Sequence, residues 1–247
     1  MIKEKCLDGV DEVYGLHNVP NYDEGDIRVV SGPIMAAVVI VKITVKGQGG
    51  HGSSPHKVRD PISAAAKIYN ALHTIKSRNI SNRADCVFTI CNVKAGHTYN
   101  VFPDEAFMQG TIRSYDTPTQ EKIIERLECI SNNIAQAMLC TVDLDIERQY
   151  PATINHPKEA EHIHRLATKW FGPEHVTDED LPMAASEDFS YFLQQKPGAF
   201  FMLGTLKPGA VPKTLHTSDY NFNDDVLASG GYFWIRLIED RLGVSLI

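Results

Sequence analysis

The sequence predicts an α/β protein in which one βαββαβ unit interrupts a larger α/β region. Three observations carry this. Period-two strands and period-3.6 helices alternate in that order between residues 39 and 150. Each helix opens on a proline-containing start signal, and both flanks read as mixed helix and strand. The order βαββαβ is that of the split-βαβ, or ferredoxin-like, unit.

Val39, Val41, Ile43 and Val45 alternate with Lys42, Thr44 and Lys46, a half-buried strand. Asp60-Pro61 then opens a helix whose apolar face is read as Ile62, Ala65, Ala66, Tyr69, Leu72 and Ile75. Cys86 to Val93 forms a second strand. In a third, Ala106, Met108, Gly110 and Ile112 alternate with Phe107, Gln109, Thr111 and Arg113. Thr117-Pro118-Thr119-Gln120 reads as a capping box, followed by a face of Ile123, Leu127, Ile130, Ile134 and Met138. Val142, Leu144 and Ile146 mark the last strand. Outside this unit, residues 1–9 read as the last turns of a helix closed by Gly9. Ala160, Ile163, Leu166, Ala167 and Trp170 share a helix face over 157–171. A closing helix over 225–243 carries Val226, Phe233, Leu237 and Leu242.

The 247 residues hold 43% apolar and 22% charged side chains, the balance of an ordinary globular protein. No apolar run is long enough to cross a bilayer. No basic n-region and apolar h-region open the chain, so a cytoplasmic location is expected. The net charge of -7 argues against a nucleic-acid partner, since phosphate binding needs a basic face. Five cysteines, Cys6, Cys86, Cys91, Cys129 and Cys140, lack zinc-finger spacing and read as buried, reduced thiols. The odd spacing of Cys86 and Cys91 in one strand puts them on opposite faces.

Gly47-Gln48-Gly49-Gly50-His51-Gly52 matches a dinucleotide fingerprint in letters but not in context. Pro55 interrupts the expected helix, and no acidic residue ends a second strand about 20 residues on. Three histidines stand in more telling surroundings: Gly15-Leu16-His17-Asn18-Val19-Pro20, Gly49-Gly50-His51-Gly52-Ser53-Ser54-Pro55-His56 and Leu215-His216-Thr217-Ser218-Asp219-Tyr220. On its own, His17 reads as a hydrogen-bonded histidine at a strand end, and His216 as a loop histidine. His73, His97, His156, His162, His164 and His175 read as surface or packing residues.

Together with Asp60-Pro61-Ile62, Asn100-Val101, Gly110-Thr111-Ile112-Arg113 and Glu187-Asp188-Phe189, these stretches closely resemble the M20 metallo-amidohydrolases and peptidases. The likeness is to the branch acting on N-acyl amino acids, hippurate and auxin conjugates. It implies a zinc-peptidase-like catalytic domain made of residues 1–38 and 151–247, with residues 39–150 inserted as a lid domain through which the protein dimerises. It implies that His17 and His216 bind a divalent metal pair (zinc, manganese or cobalt) and that the two imidazoles share one cleft. His51 would reach the partner subunit's site and hold the oxyanion, with His56 beside it. Asn100 would contact the substrate carbonyl region, Arg113 would pair with its carboxylate, and Glu187 would border the pocket.

The sequence contains neither the family's H-x-C-x-H-D segment nor its Glu-Glu pair. Those residues complete the metal cage and supply the general base. The expectation is therefore an incomplete catalytic domain, inactive as this chain alone. The alternative is a non-catalytic dimerisation module or inactive paralogue.

Overall fold

A computed structural model describes residues 1–246. In its first part the chain forms strands β1 (Val13–Asp23), β2 (Ile27–Arg28), β3 (Gly32–Met35), β4 (Ala37–Lys46) and β5 (Gly50–His51). Helices α1 (Pro61–Leu72) and α2 (Ile75–Asn79) follow, then β6 (Cys86–Ala95), β7 (Val101–Phe102) and β8 (Glu105–Ser114). Next come α3 (Thr117–Ala137), β9 (Thr141–Tyr150), β10 (Thr153–Asn155), α4 (Pro157–Phe171) and β11 (Val176–Thr177). The last elements are α5 (Ser190–Leu193), β12 (Gly198–Leu206) and α6 (Val226–Leu242). They fall into two compact units: residues 1–35 with 153–247, and residues 36–152.

In the first unit the sheet order is β1-β12-β2-β11. β1 runs parallel to β12, and β12 antiparallel to β2. β12 is buried almost throughout, which matches its unbroken apolar sequence Gly-Ala-Phe-Phe-Met-Leu-Gly. Its alternate residues serve two separate cores. Ala199, Phe201 and Leu203 pack with Ile163 and Leu166 of α4 and Phe233 and Leu237 of α6. Phe200 and Met202 face Val13, Val19, Ile34 and Leu193.

The second unit is a four-stranded antiparallel sheet, order β6-β8-β4-β9, with α1 and α3 on one face. Val39, Val41, Ile43 and Val45 are wholly buried beneath the helices, together with Met108 and Ile112. Lys42 and Lys46 stand on the other face and pair with Asp145, Glu147 and Asp143 of β9. One pleat thus separates core from charge, as the alternation requires.

Several expectations need correction. On α1 the buried face is Pro61, Ala64, Ala65, Ile68 and Leu72, while Ile62 and Ala66 are exposed. The i, i+3, i+4, i+7, i+11 series from Pro61 buries the larger Ile68, and so sets the helix phase one step from the expected face. The N-cap of α3 is Asp116, whose carboxylate accepts the Thr119 N–H at 2.7 Å and the Thr119 hydroxyl at 2.8 Å. A carboxylate outcompetes Thr117 for the same orphan donors. Residues 2–4 make a single 3-10 turn instead of the end of a longer helix, because Lys5 itself takes a left-handed conformation; Gly9 also has positive φ. Leu242 is exposed at the end of α6. All five cysteines are free, but only Cys86 and Cys140 are buried; Cys6, Cys91 and Cys129 are exposed. Cys91 lies at a register shift in β6 that interrupts the strict alternation, and it is exposed where Cys86 is buried.

The helix phase gives a direct test. Ile68→Ala should destabilise the second unit by about 2–5 kcal/mol, whereas Ile62→Ala should stay within about 0.5 kcal/mol. Urea unfolding of the two variants would reverse in rank if the expected face were the buried one.

Candidate functional site

β1 holds His17 not at a strand end but in the middle of eleven residues, opposite Met202 of β12. The strand continues past it because Pro20 lies in β1, which pairs on one side only among the described residues, where the missing N–H costs no ladder bond. The half-buried His17 ring lies edge-on to Phe200 at 6.5 Å, and Phe200 packs against Phe189 at 5.4 Å. Gly15, two residues before His17 on the same face, makes this arrangement possible. A Cβ there would come within 2.6 Å of the Phe200 ring and 3.2 Å of Phe189.

The His17 Nδ1 lies 2.7 Å from the Asn18 carbonyl oxygen. A carbonyl only accepts, so Nδ1 carries the proton and donates. Nε2 is left with its lone pair, the form in which a neutral imidazole binds a metal. The Asn18 side chain donates to the Tyr220 hydroxyl at 2.7 Å. Tyr220 belongs to the loop that carries His216, four residues earlier. Even fully extended, four residues span at most about 14 Å, so this bond brings the loop's histidine into the neighbourhood of β1. His216 is exposed and has φ 65°, a left-handed conformation uncommon for any residue but glycine. Its loop is closed by Thr217 Oγ1 donating to the Thr214 carbonyl at 2.8 Å and by Lys213 donating to the Asp219 carbonyl at 2.9 Å. The Thr217 hydroxyl and then the Lys213 ammonium hold the Asp219 carboxyl below its usual value.

Glu187 does not open a helix, since α5 starts at Ser190. It sits half-buried before that turn, its Oε1 accepting the Asp188 N–H at 3.0 Å and its backbone carbonyl accepting the Ser190 hydroxyl at 2.7 Å. Burial, and then the neighbouring Asp188, push its carboxyl above the ordinary value of 4.5. Phe189 connects it to the Phe200 shelf under His17.

The second unit gathers a different set. β5 pairs with β7 through His51 and Val101, and the Gly52 N–H donates to the Asn100 carbonyl at 2.8 Å. Asp104 holds the loop from below, accepting the Gly49 N–H at 2.8 Å. Any side chain at Gly49 would meet the Phe102 carbonyl at 2.4 Å. His51 and Asn100 are therefore exposed together on one small two-stranded element. The His51 Nδ1 accepts from the Ser53 amide at 3.1 Å and lies 2.8 Å from the Ser53 hydroxyl. A neutral His51 therefore bears its proton on Nε2, the opposite tautomer to His17 and one that offers a donor. His56 is exposed on a short 3-10 turn, Pro55–Lys57. Arg113 lies in β8, half-buried and opposite Val38 and Val87, away from the β5–β7 element by register.

Among the described residues no group of three or more histidine, cysteine, aspartate or glutamate side chains is gathered to hold a metal. The donor chemistry of His17 suits a divalent ion, but the residues present do not make a closed cage. No helix among the described residues is long and apolar enough to cross a membrane.

The sequence signature of Peptidase family M20/M25/M40 matches residues 1–240. The chain belongs to this family. It is 36% identical over 93% of its length to thermostable carboxypeptidase 2 of Saccharolobus solfataricus. To hippurate hydrolase of Campylobacter jejuni it is 33% identical over 92%, and to N-acetyldiaminopimelate deacetylase of Enterococcus faecalis 34% over 89%. It spans 58%, 58% and 57% of those curated relatives. A solved structure from methicillin-resistant Staphylococcus aureus superposes with a TM-score of 0.88 at 27% identity, over 98% of this chain and 62% of that one. The Bacillus subtilis YXEP protein, described as a dinuclear metal binding peptidase of the M20 family, shares the fold with a TM-score of 0.80 at 24% identity, over 98% and 60%.

Sequence reasoning quoted Asn18, Tyr220 and Phe189 within motifs but gave them no role. The signal available was their position: a side-chain donor directly after one histidine, and a hydroxyl four residues after the other.

The raised Glu187 carboxyl has a definite sign. Its contribution to stability is fully present below about pH 4.5 and declines as pH rises through the folded-state value. Glu187→Gln keeps the acceptor and removes the titration. Thermal unfolding from about pH 4 to about pH 7 should therefore show the variant gaining on the wild type as pH rises. A constant difference would contradict the burial of this carboxyl.

Proposed function

We propose that this chain carries the substrate-side and part of the metal-side machinery of an M20 amidohydrolase that cleaves N-acyl amino acids by hydrolysis of the amide bond. The observation that supports it best is the Asn18–Tyr220 hydrogen bond, which ties the strand of His17 to the loop of His216. The names of several relatives, hippurate hydrolase and N-acetyldiaminopimelate deacetylase among them, favour N-acyl amino acids as the substrate class.

In this reading the Nε2 lone pair of His17 and the imidazole of His216 each contribute a ligand to a divalent pair (zinc, manganese or cobalt). When bound, the metal supplies Lewis-acid activation of water and polarisation of the carbonyl. Two imidazoles fall short of the three protein ligands usual at a catalytic zinc. The sequence has no H-x-C-x-H-D segment and no Glu-Glu pair to add the others or the general base. His51, with its proton on Nε2, is suited to donate to an oxyanion in the site of a second copy. Asn100 on the same element would meet the amide carbonyl region, with His56 nearby. Arg113 would pair with the substrate carboxylate, and Glu187 would line the pocket.

Residues 1–247 alone should show no turnover of N-acetyl or N-benzoyl amino acids with manganese, cobalt or zinc. Joined in one protein to a segment carrying H-x-C-x-H-D and paired glutamates, they should give metal-dependent hydrolysis. There His17→Ala or His216→Ala should lower kcat/KM by about a hundredfold or more. Turnover by the chain alone, or indifference to both substitutions, would refute the assignment.

The second unit is proposed to join two copies. Its two edges differ. β9 carries Asp143, Asp145 and Glu147 in ion pairs, whereas β6 presents Val87 and Val93 as exposed apolar side chains and has Lys94 as its one charged residue. The less charged edge is the one more open to strand pairing. Light scattering at tens of micromolar should give a dimer, and Val93→Lys should shift it to monomer; a wild-type monomer would sink this assignment.

A further inference from the structure

We propose that α4 and α6 are joined by an acid-sensitive latch: protonation of His162 opens the cleft between the first half of α4 and the end of α6, while the far end of the contact stays closed.

His162 lies in the first half of α4 and is only 7% exposed. Arg165, one turn further on, donates from its guanidinium to His162 Nδ1 at 2.8 Å. A guanidinium only donates, so Nδ1 holds its lone pair and the ring is neutral, with its proton on Nε2. Nε2 lies 3.2 Å from the Asp240 carboxylate of α6, too oblique for a hydrogen bond but close enough for attraction. Arg165 reaches the same Asp240 oxygen at 3.3 Å. His162 and Arg165 thus hold one carboxylate of the neighbouring helix between them, and the arrangement exists only while Nδ1 is bare.

A proton arriving on Nδ1 turns the acceptor into a donor that faces another donor. Arg165 has to leave, and its side chain, 62% exposed, can swing into water without uncovering core. The ring is then charged and still buried, which is unfavourable without water. Water has a route, because His162 and Arg165 line a cleft of about 240 Å³ with Lys158, Glu159, Glu161 and Arg241. Burial is the main influence on the ring and keeps its pKa below the usual 6.5. Asp240 and Glu159 pull it upward and Arg165 downward, without reversing that direction. The closed form therefore prefers the neutral ring, and falling pH favours the open one.

The surrounding contacts confine the motion. Near the other end of α4, the Arg236 guanidinium of α6 lies 4.4 Å from the Trp170 ring centroid and 4.7 Å from that of Tyr232. Such a cation–π contact does not titrate in mild acid. Arg241 of α6 is tied to Glu12, which also accepts from the Tyr14 hydroxyl at 2.8 Å. Burial, and then Glu159, push Tyr14 up to about 12, so that hydroxyl keeps its proton. The end of α6 is thereby anchored beside β1. Ile163 and Leu166 keep α4 packed on β12. What remains free to part is the first half of α4.

The test uses the 247-residue chain between about pH 8 and about pH 5. Long-range proton–nitrogen correlation follows the His162 ring, and amide hydrogen exchange, corrected for its intrinsic pH dependence, follows α4. His162 should show the Nε2–H tautomer at high pH and titrate below 6.5. Below about pH 6.5 the opening of residues 161–165 should rise by up to about tenfold per pH unit and level off past the His162 midpoint. Residues 168–171 should stay unchanged. His162→Gln remains neutral throughout, can still accept from Arg165 through its amide oxygen, and should flatten the pH dependence. Arg165→Ala should move the His162 midpoint up, and Asp240→Asn should move it down. Both positions are partly exposed, so these two variants carry the test should His162→Gln not fold. A wild-type midpoint at or above 6.5, exchange that rises equally along α4, unmoved midpoints in the two charge variants, or a wild-type pH dependence in His162→Gln would each overturn the latch.

Discussion

Between Val13 and Val19, β1 lies in parallel register on Gly198–Gly204 of β12, and the candidate site of the first unit hangs from that ladder. A parallel pair fixes which side chains share a face. Slipping it by one residue would turn His17 from the Phe200 side to the side where Tyr14 and Leu16 meet the helices. Gly15 and the Phe189–Phe200 packing make that slip costly, because only a residue without Cβ fits against the Phe200 ring. The backbone pairing therefore decides the chemistry available to a ring that it does not itself touch.

The second unit solves a different problem. Its core is closed by two helices on one face, and its outer face is charged, so the β5–β7 element can project His51 and Asn100 without drawing on the core for support. The two units treat histidine oppositely. A carbonyl beside His17 leaves a lone pair on Nε2, whereas an amide beside His51 leaves a proton there. One ring is prepared to accept a cation and the other to donate to an anion, and in each case a single neighbouring backbone group makes the choice.

Much of this was legible in the residues. Period-two alternation located Val39 to Val45 and Ala106 to Ile112 correctly, because a half-buried strand writes its burial directly into sequence. Helices were legible as helices but not in phase. Ile62 and Ile68 are equally apolar, and only the packing of α1 on the sheet chooses between them. The cap of α3 moved one residue, since Asp116 and Thr117 compete for the same donors. His17, His51 and His216 stood out by motif, but the tautomers did not, because they depend on which backbone group each fold places beside the ring. The Asn18–Tyr220 bond was beyond any local reading: it joins two segments that no sequence pattern relates.

The uneven burial of the thiols has its own consequence. Burial raises the Cys86 and Cys140 thiols above their usual value, and both belong to the second unit, whereas the first unit holds only the exposed Cys6. A thiolate-selective reagent therefore meets a fast class, Cys6, Cys91 and Cys129, and a slow class that reacts only when the four-stranded unit opens. The slow phase is a clock for opening of that unit alone, built into the native sequence.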